Sequence, residues 1–97
     1  MIFNSGTTTV SSAGTRVQLS NTLNKVRWIK VKALAGNSGL AYFGISDVSA
    51  TKGYELSATN TIEISFAELG GTVVLNSLYV DAATNGDKVS WAVVLEG

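Results

Sequence analysis

The hydrophobic pattern is clearest between Val26 and Ile45, VRWIKVKALAGNSGLAYFGI, where two apolar, β-rich runs flank Gly36-Asn37-Ser38-Gly39. Ile29, Val31 and Ala33 alternate with Lys30 and Lys32 on the first run. That period of two and the glycine-rich turn predict a hairpin. On the second run Ala41 and Phe43 face one way and Tyr42 the other, so one side is apolar and requires a second sheet to cover it. Before Ile29 the alternation runs on Val26 and Trp28, one residue out of phase. Either a β-bulge near Trp28, which would also bend the strand, or burial of both faces there accounts for the slip. Trp28 itself is expected in the core.

The same reading extends along the chain. Ile2 and Phe3 predict either a short edge strand or an arm that docks on another subunit. Thr7 to Ser12 is a polar, β-branched strand closed by Ala13 and Gly14, and Arg16 to Ser20 puts Val17 and Leu19 inward with Gln18 outward. Asn21 to Asn24 reads as a turn and Ser46 to Gly53 as a polar loop. Tyr54 and Leu56 alternate with Glu55, and Ser57 to Asn60 forms the next turn. Thr61 to Phe66 places Ile62, Ile64 and Phe66 inward. Ala67-Glu68-Leu69 is at most one helical turn, Gly70-Gly71 a break, and Thr72 to Leu75 a short strand. Leu78, Val80 and Ala82 alternate with Tyr79 and Asp81. After the Asn85-Gly86-Asp87 turn, Val89, Trp91, Val93 and Leu95 share one face of the last strand. About eight short strands at spacings of about ten residues predict one all-β domain over residues 1–97, a sandwich or barrel. The two N-terminal strands are too polar to be central and belong at an edge or against a neighbour.

Composition sharpens this picture. Ninety-seven residues suffice for one core, which hides roughly 60 to 70% of the unfolded surface. Seven basic and seven acidic residues cancel and form no basic stripe, which disfavours nucleic acid. Charged residues are only 14% of the chain against 45% hydrophobic ones, so part of the surface is expected to be buried against copies of the chain or a partner. No run approaches the roughly 18 apolar residues of a membrane helix. Met1 to Val10 lacks the basic start and apolar core of a secretion signal, and a soluble protein made without export is expected. Proline is absent, so turns rely on Gly and Asn.

With neither Cys nor His, the usual zinc, haem and catalytic-triad ligands are missing. Lys30 and Lys32 sit on the solvent side of a strand. The carboxylates Asp47, Glu55, Glu63, Glu68, Asp81, Asp87 and Glu96 show no converging spacing, so no enzyme, cofactor or metal is expected. Asp81, Asn85 and Asp87 have the spacing of a fragment of a calcium loop, but such residues in a β-turn are far more often turn formers. Exposed aromatics for a sugar platform would come from Tyr42, Tyr54 and Tyr79, all expected outward or in loops. Cover for a sheet edge or a subunit interface is the favoured role for them.

The segment NSGLAYFGISDVSATKGYELSATNTIEISF and the later LNSLYVDAATNGDKVSWAVV resemble small virion proteins of tailed bacteriophages. The shared features are the Tyr42-Phe43-Gly44 step, a Ser-rich loop with Gly53, an apolar strand, Leu78 to Ala82, a Gly-Asp turn and a final apolar strand. The resemblance spans roughly Val17 to Leu95. It implies a jelly-roll-like antiparallel β-sandwich that decorates and cements a capsid. The partner would be the major capsid protein, the state a homotrimer on threefold or quasi-threefold axes, and the location the outside of the virion after synthesis in the host cytoplasm. A head-fibre or tail-associated receptor- or glycan-binding module is the alternative within the same group. The capsid-binding arm is expected to be short, Met1 to about Ser12. Ile2, Phe3, Tyr42, Tyr54 and Tyr79 are the candidate contacts with the shell or with other subunits.

Overall fold

The structure, a computed structural model, describes residues 2–66 and 73–96. Among them nine strands form two antiparallel sheets: β1 Ile2–Thr9, β2 Val17–Gln18, β3 Lys25–Ala33, β4 Ala41–Gly44, β5 Tyr54–Leu56, β6 Thr61–Ser65, β7 Val73–Val74, β8 Tyr79–Ala82 and β9 Lys88–Leu95. One sheet has the order β1-β9-β3-β6, with β7 also on β3, and the other β2-β8-β4-β5. The expected all-β, single-domain architecture is therefore present. Leaving β7 aside, the pairings nest: β1 with β9, β2 with β8, β3 with β6, and β4 with β5.

The apolar positions of the alternating strands meet between the sheets. Ile29, Val31 and Ala33 of β3, Val89, Trp91, Val93 and Leu95 of β9, and Ala41, Phe43, Leu56, Val80 and Ala82 of the second sheet are buried in one cluster. Ile62, Ile64 and Phe66 take the expected inward side but are only partly covered, because β6 is an outer strand.

β1 solves a different problem, since its inward positions include Gly6 and Thr8 rather than large apolar side chains. Gly6 lies directly opposite Trp91. A Cβ on Gly6 would come within 2.7 Å of Trp91 Cζ2, so the indole occupies the space that a side chain there would fill. Trp91 Nε1 donates to Thr8 Oγ1 (3.0 Å), which in turn donates to the Leu19 carbonyl (2.7 Å). The polar edge strand is thus closed over the core by its neighbour's tryptophan.

Three expectations are corrected. Val26 to Ile45 is not a hairpin, because β3 and β4 lie in different sheets. The Leu34 to Leu40 connection crosses between them, and its backbone is held by groups from the β8–β9 region. Asp87 Oδ1 and Oδ2 accept from the Ser38 and Gly39 amides (3.0 and 2.9 Å), and Asn37 exchanges two hydrogen bonds with the Lys88 backbone.

Trp28 is not in the core. The bulge is where the phase slip put it, with a register shift between Val26 and Trp28. It returns Ile29 to the inner face and so turns Trp28 outward, where Nε1 donates to Glu63 Oε2 at 2.7 Å. Third, residues 2–9 are one continuous strand, whereas the Arg16 to Ser20 strand contracts to two residues. The expected helical turn at Ala67-Glu68-Leu69 and the break at Gly70-Gly71 fall outside the described residues. β6 and β7 lie along the same side of β3, before and after the bulge.

Two substitutions test this account by urea denaturation. Ile29→Ala, at a side chain 1% exposed, is expected to cost about 2–5 kcal/mol. Trp28→Phe should cost about 1 kcal/mol or less, since it removes one surface hydrogen bond. A larger loss for Trp28→Phe than for Ile29→Ala would contradict the assignment of faces.

Candidate binding surfaces

Because opposed residues of an antiparallel pair share a face, the registers give the outer face of the β1-β9-β3-β6 sheet row by row. Phe3, Val94, Trp28 and Ser65 form one row; Ser5, Ala92, Lys30 and Glu63 the next; Thr7, Ser90, Lys32 and Thr61 the third. A shallow depression of ≈350 Å³ lies over the second and third rows, lined by Lys30, Lys32, Thr61, Ser90 and Ala92. The first row is largely apolar, and Phe3 is 68% exposed.

The same end of this sheet carries further exposed apolar side chains. Ile2, opposite Leu95, is 46% exposed, and Leu23 is 74% exposed beside Asn24, whose amide bonds the Glu96 carbonyl (3.0 Å). Among the described residues no strand pairs with the outer side of β1, an edge of eight residues, IFNSGTTT, with no charge and no proline. Proteins normally protect such edges with lysine, proline or a bulge, because unpaired amides and carbonyls in a row recruit another chain.

A second surface lies on the outer face of the β2-β8-β4-β5 sheet. Two loops flank it, and both are firmly held. Residues 10–16 are tied down by Asp81 and Asn85: Asp81 Oδ1 accepts from the Gly14 amide (3.0 Å) and from Ala82 (2.7 Å), and Asn85 Oδ1 accepts from Ala13 (2.7 Å). The Ser46 to Gly53 loop folds back over β4, with Val48 buried as its plug. A Cβ on Gly53 would lie 2.6 Å from Val48 Cγ2 and 3.3 Å from the Phe43 carbonyl, so only glycine allows this approach. Lys52 pairs with Asp47 at 2.6 Å and Ser49 exchanges backbone hydrogen bonds with Lys52. The Lys52 hydrogen bond, opposed by desolvation, holds the Asp47 carboxyl below its ordinary value of 3.8.

Between the loops are two depressions that both border Gly14. One, of ≈510 Å³, is lined by Thr15, Arg16, Ser46 and Tyr79; the other, of ≈530 Å³, by Ala13, Ser49, Ala50, Thr51, Asp81 and Ala83. Tyr79 and Asp81 stand two residues apart on β8, hence about 7 Å apart on the same face, and contribute to the two floors.

No family model matches the chain, and no curated protein and no solved structure matches it either.

The five candidate contact residues are not brought together. Ile2 and Phe3 share the apolar end of β1. Tyr79 reaches the groove. Tyr54 pairs with Phe43 on the edge strand β5 and is exposed. Tyr42 takes the expected outward side of β4 but is only 6% exposed, since the Ser46 to Gly53 loop lies over it; its place as a surface platform is corrected. Asp81 Oδ1, Asn85 Oδ1 and both Asp87 carboxylate oxygens accept from backbone amides and anchor loops. Among the described residues no three acidic side chains gather as a metal site. Sequence reasoning missed Arg16, Thr15 and Ser46, which lie far apart in the chain and share no motif.

Two outcomes are expected. Gly53→Ala should lower stability by about 1–3 kcal/mol in urea denaturation, because Val48 has to give way. Since the folded pKa of Asp47 is depressed, its ion pair contributes fully above the unfolded value and is lost as pH falls through the folded one. Lys52→Ala should raise the Asp47 pKa toward 3.8, read from its carboxyl carbon shift in an NMR titration.

Proposed function

We propose that this chain is a non-enzymatic capsid decoration, or cement, protein of a tailed bacteriophage, bound to the outside of the head shell. The observation that carries the reading is the uncharged outer edge of β1 with Ile2, Phe3 and Leu23 exposed at one end of its sheet. Such an edge is suited to adding a strand of a partner, with backbone hydrogen bonds supplying affinity and apolar side chains supplying register. The resemblance of Val17 to Leu95 to small virion proteins gives the partner as the major capsid protein. A jelly roll is supported by the nested pairing of β1 with β9, β2 with β8, β3 with β6 and β4 with β5, which is the order of a long hairpin rolled into two sheets.

The mechanism is mechanical. A subunit that bridges neighbouring capsid proteins binds the assembled shell and not its separated parts, so its binding free energy stabilises the shell by mass action. As a homotrimer on threefold or quasi-threefold axes, three weak contacts act together and raise the effective affinity by roughly 10² to 10⁴. Low charge and Ser/Thr-rich edges suit a subunit that buries surface in a lattice.

Co-sedimentation with undecorated heads of the phage that encodes the chain tests this, together with the mass in solution. The expected result is a trimer that binds saturably at a fixed ratio to capsid protein and raises the melting temperature of the heads. Phe3→Ser and Leu23→Ser, both at exposed sites, should weaken binding about tenfold or more while leaving the fold intact. A folded protein that fails to bind the heads, or binds without raising their thermal stability, would overturn the reading.

A further inference from the structure

The opposite sheet carries two open depressions that shell docking through β1 does not use. The two, ≈510 and ≈530 Å³, fall in the range of pockets for small ligands. They are bounded by loops fixed in advance by Asp81, Asn85 and the Val48 plug, so little ordering is required on binding.

The lining has a consistent chemistry. Thr15, Ser46, Ser49 and Thr51 offer hydroxyls, while Ala13, Ala50 and Ala83 leave flat apolar patches with no bulky side chain in the way. Tyr79 supplies an aromatic surface with a polar tip at one end. One charged group lines each depression. Arg16 lines the same depression as Tyr79 and makes no ion pair with a described residue, although its charge reaches the Asp47 carboxyl that Lys52 holds. Asp81 is 2% exposed, and both of its hydrogen bonds fall on Oδ1. No fully enclosed side-chain oxygen among the described residues lacks a partner, so Oδ2, which accepts from none of them, opens on the depression that Asp81 lines.

We infer that this groove binds a short acidic saccharide. The carboxylate of the sugar pairs with Arg16, a ring packs its C–H face on Tyr79 and the alanines, and a ring hydroxyl donates to Asp81 Oδ2. A guanidinium meets a carboxylate with two parallel hydrogen bonds, which fixes orientation as well as charge. A carboxylate oxygen that opens on the groove is matched by a ligand O–H and is left without a donor by an apolar ligand. An acidic peptide offers Arg16 the same charge but no ring and fewer hydroxyls for the rest of the groove.

The test is an NMR titration of the ¹⁵N-labelled full chain with trigalacturonate, with neutral galactotriose and with triglutamate, each to about 10 mM, the weak end of measurable affinity. Trigalacturonate is expected to shift the amides of Gly14, Thr15, Ser46, Ala50 and Ala83 saturably and to bind most tightly of the three. Arg16→Gln, at an exposed residue, should weaken it about tenfold while leaving the amide spectrum of the core unchanged. Shifts that are absent, or that map to β1, would overturn the inference. So would equal binding of galactotriose or triglutamate, or an Arg16→Gln variant that binds as well as the original. Binding to capsids is measured separately, so either result leaves the decoration reading to stand or fall alone.

Discussion

β9 is the strand the others depend on. It lies between β1 and β3 along nearly its whole length, and its inner face of Val89, Trp91, Val93 and Leu95 supplies the floor on which the second sheet packs. Every apolar residue there must lie in phase with its neighbours or the core loses a layer. On β3 that phase is restored by the bulge between Val26 and Trp28, which lets Val26 and Ile29 both point inward although they are three residues apart. On β1 it is met by the absence of a side chain at Gly6, where the Trp91 indole takes the room.

The loops are organised by a second device. With no proline and no disulfide, the connections between sheets are fixed by polar side chains projecting from the β8–β9 region: Asp81 and Asn85 on residues 13 and 14, and Asp87 on residues 38 and 39. A buried carboxylate is costly unless hydrogen-bonded, and Asp81 and Asp87 each accept two backbone amides, which offsets their desolvation. A backbone amide left without a partner in these loops would itself be costly, so donor and acceptor satisfy one another. The Ser46 to Gly53 loop uses packing instead, with Val48 seated against Gly44 and Gly53 over Tyr42.

These two devices leave the surface divided. One sheet ends in an uncharged strand edge and a row of largely apolar side chains. The other sheet carries two depressions between preorganised loops, one lined by Arg16 and the other by the buried Asp81. The apolar end of β1 and the depressions lie on different sheets, so a partner at the one leaves the other open to solvent.

The sequence alone determined the fold class, the inward faces of β3, β6, β8 and β9, the bulge and the polar character of the N-terminal edge. Each is a local property, since a period of two along a strand is written in neighbouring residues. The same local rule misled over Val26 to Ile45 and Trp28. Alternation says which residues share a face but not which strand lies alongside, and a bulge moves a residue to the other face without changing its hydrophobicity. Only the tertiary structure decided that β3 and β4 lie in opposite sheets, that Tyr42 is covered, and that Arg16, Ser46, Tyr79 and Asp81 line one surface. Those relations join positions dozens of residues apart, and they arise from strand pairings that no single stretch of chain encodes.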